Sequence, residues 1–225
     1  MKKWITLLCT LLFLAVLGYA GNGMEKARET AGELLDQEHP RIALTFDDGP
    51  HSVYTEKLLD GLKERDIRAT FFLIGKNIEG NEDVVKRIQE EGHLIGNHTY
   101  HHVNLKKLSE SQAEEEILLT CNKIYENTGI CTSFVRPPFG AWKKNLDFEI
   151  TMIPVSWNVD SLDWTTENTE KIVKRVVKDV QEGDIILMHD IFQSSVDAAL
   201  QIADILKKQG YEFDTALEVE LDGQY

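Results

Sequence analysis

Cysteine, proline and basic residues are all scarce in this sequence. Three cysteines in 225 residues are too few for a disulfide-built scaffold. The five prolines form no Pro-rich tract, and no Ser-rich linker or internal repeat divides the chain. Lys and Arg total 24 against 38 Asp and Glu, a formal net charge of −14. A protein that grips a phosphate backbone needs a basic face, so nucleic acid is not an expected partner. What is present is a globular composition, with 42% hydrophobic and 28% charged residues, in a length that suits a single domain of the larger kind.

The opening residues follow a different pattern. Lys2 and Lys3 precede an apolar run from Ile5 to Leu17, and Gly18 and Ala20 stand at the −3 and −1 positions of a cleavage after Ala20. That is the layout of a signal peptide. The alternative is an uncleaved membrane anchor, because no charge occurs between Trp4 and Met24. Residues 1–20 are therefore read as a signal peptide or N-terminal anchor, and 21–39 as a linker. Either way the remaining chain lies outside the cytoplasmic membrane, secreted or held on its outer face. Cys9 falls inside the apolar run. Cys121 and Cys131 then occupy a compartment where a disulfide can form, and two free buried thiols are the favoured reading.

From Pro40 onward strand-like and helix-like segments alternate. Strands are expected at 41–46, 69–74, 94–96, 131–136, 152–159 (broken early by Pro154), 184–189 and 211–214. Helices are expected at 55–65, 81–91, 109–127, 169–180 and 196–209, the third opened by a capping box from Ser109 to Gln112. About seven strands alternating with helices predict an α/β fold with a parallel sheet. The expected architecture is a (β/α) barrel in one domain, 40–218, with 219–225 as a tail. A doubly wound open sheet is the alternative.

Nearly every expected strand ends in chemically capable residues. The first runs into Asp47 and Asp48, the third into Asn97 and His98 with His101 and His102 following, and the fourth into Arg136. The fifth ends near Asp160, Asp163 and Trp164, and the sixth at His189 and Asp190. In parallel α/β folds these ends form one face, where ligands gather. Each group taken singly reads as a turn, a surface histidine or a loop salt bridge; their shared position does not. Two histidines four apart can face one metal, and a carboxylate completes a triad with open positions for water and substrate. By spacing alone His101 competes with His102 for the second ligand role. Two adjacent aspartates at a strand end point in different directions, so one can bind the metal while the other acts as general base on a water. Arg136 can orient that base through a bidentate contact. His189 can serve as general acid, with Asp163 fixing its tautomer and raising its pKa. The composite is metal-assisted hydrolysis of an acyl bond.

These residues resemble those of a known family. Thr45-Phe46-Asp47-Asp48-Gly49-Pro50, His98-Thr99-Tyr100-His101-His102, Arg136-Pro137-Pro138-Phe139-Gly140, Asp160-Ser161-Leu162-Asp163-Trp164 and Leu187-Met188-His189 match, in order, the motifs of the polysaccharide deacetylases. This is the NodB-homology domain of carbohydrate esterase family 4, and within it the chain is most similar to bacterial peptidoglycan N-acetylglucosamine deacetylases. The resemblance implies a distorted (β/α) barrel of seven units. It implies Asp47 as catalytic base, Asp48, His98 and His102 as metal ligands, Arg136 as the residue orienting the base, and His189 as acid partnered by Asp163. It further implies the Phe139 backbone N–H as oxyanion donor, and Trp164 and Leu187 as walls around the acetyl methyl. The implied cofactor is a divalent metal, zinc first, with cobalt and nickel as alternatives.

The implied substrate is a cell-wall glycan, peptidoglycan, with chitin oligomers or acetylxylan as alternatives, and a monomer is expected. The competing reading from another class is a catalytically silent glycan-binding wall protein. Such a protein has no need of an intact set of ligands, base and acid. Departures from the family pattern are Phe139 in place of a common tyrosine and His101 in place of a common serine. The short stretch 141–151 suggests an open edge. Asp214 stands where an apolar strand residue is expected.

Overall fold

The computed structural model describes residues 39–142 and 151–222. The leader, the linker up to residue 38 and the core of the stretch expected to leave an open edge lie outside the described residues. Among the described residues no helix is long and apolar enough to cross a membrane.

The sheet is built on β1 (Arg41–Asp47), which is buried along nearly its whole length. Its run of apolar residues suits a strand covered on both faces, as parallel sheets require. β2 (Thr70–Leu73), β3 (Leu94–Asn97), β4 (Phe134–Val135) and β5 (Ile153–Pro154) extend one side in succession. β7 (Ile185–His189) and then β6 (Val159–Asp160) extend the other, and β8 (Glu212–Asp214) pairs with the start of β1. Every pairing is parallel.

The strand expected over 152–159 is thus two short strands at opposite edges of the sheet. Only the four residues Val155–Asn158 separate them. Pro154 offers no N–H to a ladder, which keeps the first piece short. The Val155 N–H bonds to the Val135 carbonyl at 2.8 Å and the Asn158 N–H to the Ile185 carbonyl at 3.0 Å. One stretch of chain therefore joins the two edges. Among the described residues the two edge strands do not pair with each other, so the seven parallel strands curl into a half-barrel, a distorted barrel rather than a doubly wound open sheet.

The helices follow their local signals. α1 (Tyr54–Glu64), α3 (Glu82–Glu90) and α5 (Thr169–Asp179) turn apolar stripes inward, in α5 Ile172, Val173 and Val176. The Asn168 side chain caps α5 by accepting the Lys171 N–H at 2.9 Å. α4 (Glu110–Thr128) opens with the expected capping box and ends at Gly129 in the left-handed region. α6 (Gln193–Lys208) begins three residues earlier than its pattern suggests. A short α2 (Gly75–Ile78) and a terminal α7 (Ala216–Asp222) were not anticipated; α7 buries Ala216 and Val219 and runs into the stretch read as a tail.

Two oddities of the sequence acquire causes here. Asp214 is buried between the guanidinium groups of Arg41 and Arg68, the latter at 2.7 Å. The acid therefore ties the start of β1 to the entry of β2, and an apolar residue there removes an ion-pair partner from both cations. The cysteines are both free, as expected, but only Cys121 is shielded; Cys131 is exposed.

His93, at the entry to β3, is buried with its ring edge-on to Phe71. Its Nδ1 accepts the Ala69 N–H at 3.1 Å. Burial lowers its pKa to about 4. Above pH ~6.5 the ring is neutral in both the folded and unfolded chains. Between there and pH 4 only the unfolded chain takes the proton. Stability is therefore expected to fall by about 2–3 kcal/mol as the pH drops across that window. Urea unfolding at pH 7.5 and 4.5 checks this: His93→Gln must flatten the slope relative to the parent chain, and an unchanged slope refutes the assignment.

Candidate active site

The parallel barrel delivers the five polar groups to one end. Asp47 closes β1, His98 follows β3, Arg136 follows β4, Asp163 follows β6 and His189 closes β7. Thr45 and Asp47 are two residues apart on one strand and so share a face. Both meet Arg136, whose Nη1 donates to Asp47 Oδ1 at 2.9 Å and to Thr45 Oγ1 at 2.6 Å. The contact to Asp47 is a single bond, not the bidentate one expected, because the rest of the guanidinium is engaged elsewhere. Nη2 donates to the Ser156 carbonyl at 3.0 Å and Nε to the Val155 carbonyl at 3.4 Å, both on the segment that joins the sheet's edges. The guanidinium carbon lies 4.2 Å from the centre of the Phe72 ring. Arg136 has no solvent exposure at all, and burial lowers its pKa. A guanidinium nevertheless stays charged at any pH the fold tolerates.

Asp47 and Asp48 were expected to point apart. In the structure both carboxylates approach His98: Asp47 Oδ2 is 3.7 Å and Asp48 Oδ1 3.4 Å from its Nε2. The cause is the backbone of Asp48, whose φ of 73° leaves the strand alternation and turns the second carboxylate back toward the site. His102 Nε2 is also 3.4 Å from Asp48 Oδ1. Asp48, His98 and His102 present one ligand atom each within 4.8 Å of one another. His101 does not join them. It is exposed, and its Nδ1 lies 2.8 Å from Glu116 Oε1 on α4.

These donors fit a cation. His98 Nδ1 lies 2.6 Å from the Arg136 carbonyl, which can only accept, so Nδ1 carries the hydrogen and Nε2 of the neutral ring carries a lone pair. Burial lowers the His102 pKa, which favours its neutral form too. Burial opposes ionisation of Asp48, but the facing His98, His189 and His102 outweigh it and hold the carboxyl below its ordinary range. Asp48 Oδ1 is buried and accepts no hydrogen bond. One carboxylate oxygen and two imidazole rings converge here, a donor set that suits a divalent cation. Ligand atoms ~2.05 Å from a tetrahedral ion stand about 3.3 Å apart, close to the two 3.4 Å spacings from Asp48 Oδ1 to His98 Nε2 and His102 Nε2.

On β7, in register beside Asp47, stands His189. Its Nδ1 is 2.8 Å from Asp163 Oδ1, and its backbone N–H donates to Asp163 Oδ2 at 2.8 Å. Burial works against protonation of His189, but the Asp163 hydrogen bond and charge, with Asp47 and Asp48 beyond, overcome it and raise the pKa to about 9. Asp163 is 2% exposed, and His189 holds its pKa below the ordinary value against the effect of burial. The remaining expected residues form the rim. Phe139 is 70% exposed, with its ring 4.9 Å from that of His102. Trp164 is 58% exposed, whereas Leu187 is buried in β7 beside Thr45.

Backbone strain concentrates at this end. Among the described residues, non-glycine positive φ values occur at Asp48, Thr99, His102, Phe139 and Leu162 around the site and at Asp66 away from it. Each costs of order 1–3 kcal/mol and persists only when its surroundings over-determine it. Two groups do so here: Asn97, which the sequence placed at a strand end without a role, and Glu116, which it did not single out. Asn97 accepts the Thr99 N–H at 2.8 Å, and Glu116 Oε2 accepts the N–H groups of Tyr100 at 3.0 Å and His101 at 2.8 Å. A signal for Glu116 exists: it is an acid three residues from Ala113 and four from Thr120, on the buried stripe of α4.

Replacing Arg136 by Met keeps the volume and leaves Asp47 buried without its cation. We expect a loss of about 3–5 kcal/mol in unfolding free energy by urea titration. A loss below ~1 kcal/mol contradicts the buried pair described above.

Comparison with known proteins agrees with this geometry. Residues 35–153 match the family described as polysaccharide deacetylase. Over 179 residues the chain is 40% identical to the peptidoglycan-N-acetylglucosamine deacetylase PgdA of Listeria monocytogenes, covering 80% of this chain and 38% of that protein. It is 38% identical over 186 residues to a peptidoglycan-N-acetylglucosamine deacetylase of Bacillus cereus, covering 79% and 87%. The solved structure of the peptidoglycan deacetylase PdaC from Bacillus subtilis superposes with a TM-score of 0.80 at 36% identity, covering 84% of this chain and 94% of that one. The chain thus spans well under half of the first relative's length and most of the other two. The family match, the sequence identity and the shared barrel all agree: this chain belongs to the polysaccharide deacetylase family.

Proposed function

We propose that this chain is a metal-dependent hydrolase that removes N-acetyl groups from N-acetylglucosamine residues of peptidoglycan outside the cytoplasmic membrane, releasing acetate. The observation that carries the reading is one juxtaposition. Two partnered groups, Asp47 with Arg136 and His189 with Asp163, stand on adjacent strands beside the Asp48, His98 and His102 cluster. The named relatives support peptidoglycan over chitin oligomers or acetylxylan.

Asp48, His98 and His102 would hold the cation, and zinc suits two imidazoles and a carboxylate, as cobalt and nickel also do. When bound it supplies Lewis acidity to a water and to the acyl oxygen. Asp47 is the general base. Arg136 holds one of its oxygens and leaves Oδ2 facing the cluster. Asp47 takes a proton from water as the water oxygen bonds to the acetamide carbon. The Phe139 N–H donates to the oxyanion so formed, a contribution of roughly 3–4 kcal/mol for a well-placed donor. His189, kept protonated by Asp163, gives its Nε2 proton to the amide nitrogen as the carbon–nitrogen bond breaks. Acetate leaves and the sugar keeps a free amine. Leu187 and Trp164 flank the acetyl methyl.

Acetate release from purified peptidoglycan, chitin oligomers and acetylxylan tests the reading. Peptidoglycan is expected to react fastest, and a faster release from acetylxylan overturns the substrate assignment. Asp47→Asn is expected to keep the zinc content of the parent protein while losing at least ~100-fold in acetate release. An equal loss of zinc contradicts the separate roles of the two aspartates. Because His189 must carry its proton, kcat/KM is expected to fall as the pH rises toward about 9. In Asp163→Asn that fall is expected at least one pH unit lower; an unmoved alkaline limb removes His189 as the acid.

A further inference from the structure

The loop between His98 and His102 is held from outside by a residue that makes no contact with the cation cluster. Glu116, on α4, spends both carboxylate oxygens on it. Oε2 accepts the backbone N–H groups of Tyr100 and His101, at 3.0 and 2.8 Å, and Oε1 meets His101 Nδ1 at 2.8 Å. The Glu116 side chain is only 14% exposed. The opposite side of the loop is tied to α2, where the N–H groups of Gly75 and Lys76 donate to the carbonyls of Thr99 and Tyr100, each at 3.0 Å. Between these anchors the chain passes through left-handed conformations at Thr99 and His102, with φ of 61° and 55°. The β-branched Thr99 adopts that conformation rarely, and His102 more easily.

We propose that Glu116 is a positioning residue for the cation site, holding His98 and His102 at the spacing that lets both reach an ion shared with Asp48. His101 is the part of this device that reaches back from the loop, which is why it turns away from the cluster. Without the carboxylate, two backbone N–H groups lose their acceptor and the left-handed turns lose the contact that opposes their relaxation. His102 then drifts from the common centre, while His98 stays fixed by its bond to the Arg136 carbonyl. Outer partners of this kind tune a site's grip on its ion without touching it.

The inference rests on the reading of Asp48, His98 and His102 as ligands, so the test separates the two. Zinc affinity of the full-length protein is measured by competition with a chromophoric chelator. The parent protein is expected to bind one zinc tightly and His98→Ala to lose it; if the parent binds none, the ligand reading itself fails. Given binding, Glu116→Ala is expected to weaken zinc affinity at least 10-fold. Glu116→Gln retains a carbonyl for the two backbone N–H groups and is expected to stay within ~3-fold of the parent, as is His101→Ala, which keeps both of those bonds. A merely structural role for Glu116 predicts a lower melting temperature for Glu116→Ala with unchanged zinc affinity in the folded protein, and that result overturns the proposal. Should Glu116→Ala fail to fold, Glu116→Asp decides: its shorter side chain must weaken zinc binding at least 3-fold, and unchanged affinity counts against the clamp.

Discussion

A charged guanidinium with no access to water sits inside the barrel, and the arrangement of the site follows from satisfying it. Arg136 cannot shed its charge, so every donor must find an acceptor within the fold. Asp47 neutralises it, Thr45 accepts a second bond and passes its own hydrogen to the Ile186 carbonyl, and two carbonyls of the joining segment accept one bond each. The same cation therefore ties β1 to the segment that joins the sheet's edges. Phe72 packs over the guanidinium, and its ring occupies the space a Cβ at Gly96 would need. The glycine in β3 is thereby explained by a charge on β4's far end.

Around that pair the barrel separates rigid from strained backbone. The central strands β1, β2 and β7 are regular and buried; most of the left-handed residues lie just beyond strand ends, where side chains must be aimed rather than stacked. Asp48 shows the gain. Strand alternation sends adjacent carboxylates to opposite faces, and one residue with positive φ returns the second to the first. Local hydrogen bonds hold these turns: Asn77 Nδ2 donates to the Asp48 carbonyl, Asn97 and Glu116 accept from the loop between His98 and His102, and Asp163 Oδ1 accepts the Trp164 N–H.

The electrostatics divide in the same way. Asp163 is shielded from solvent and has one dominant partner, so its charge is spent on His189. Asp48 is shielded and has no hydrogen-bond donor on one oxygen, so its charge is directed into the cluster. Three carboxylates within one barrel mouth thus differ in what each faces: the Arg136 guanidinium, the His189 ring, or the rings of His98 and His102.

Much of this was readable from residue order. Apolar runs such as 41–46 and 184–189 marked the central strands, the serine and glutamine at 109 and 112 marked a helix start, and capable residues at strand ends marked the site. These signals are local or periodic, and backbone geometry obeys them directly. The split of 152–159 was not readable, because one short stretch serves two distant edges and no periodicity encodes which partner a residue meets. Nor was the role of Asp214, whose cations come from β1 and the entry to β2, or the turning of His101 toward Glu116. The chain order determined the fold class, the face carrying the chemistry and the identity of nearly all its groups. Tertiary structure alone decided how many bonds Arg136 makes to Asp47, that both adjacent carboxylates approach His98, and what holds the strained loops. Those depend on contacts between segments far apart in the chain and on single φ angles, which residue order does not specify.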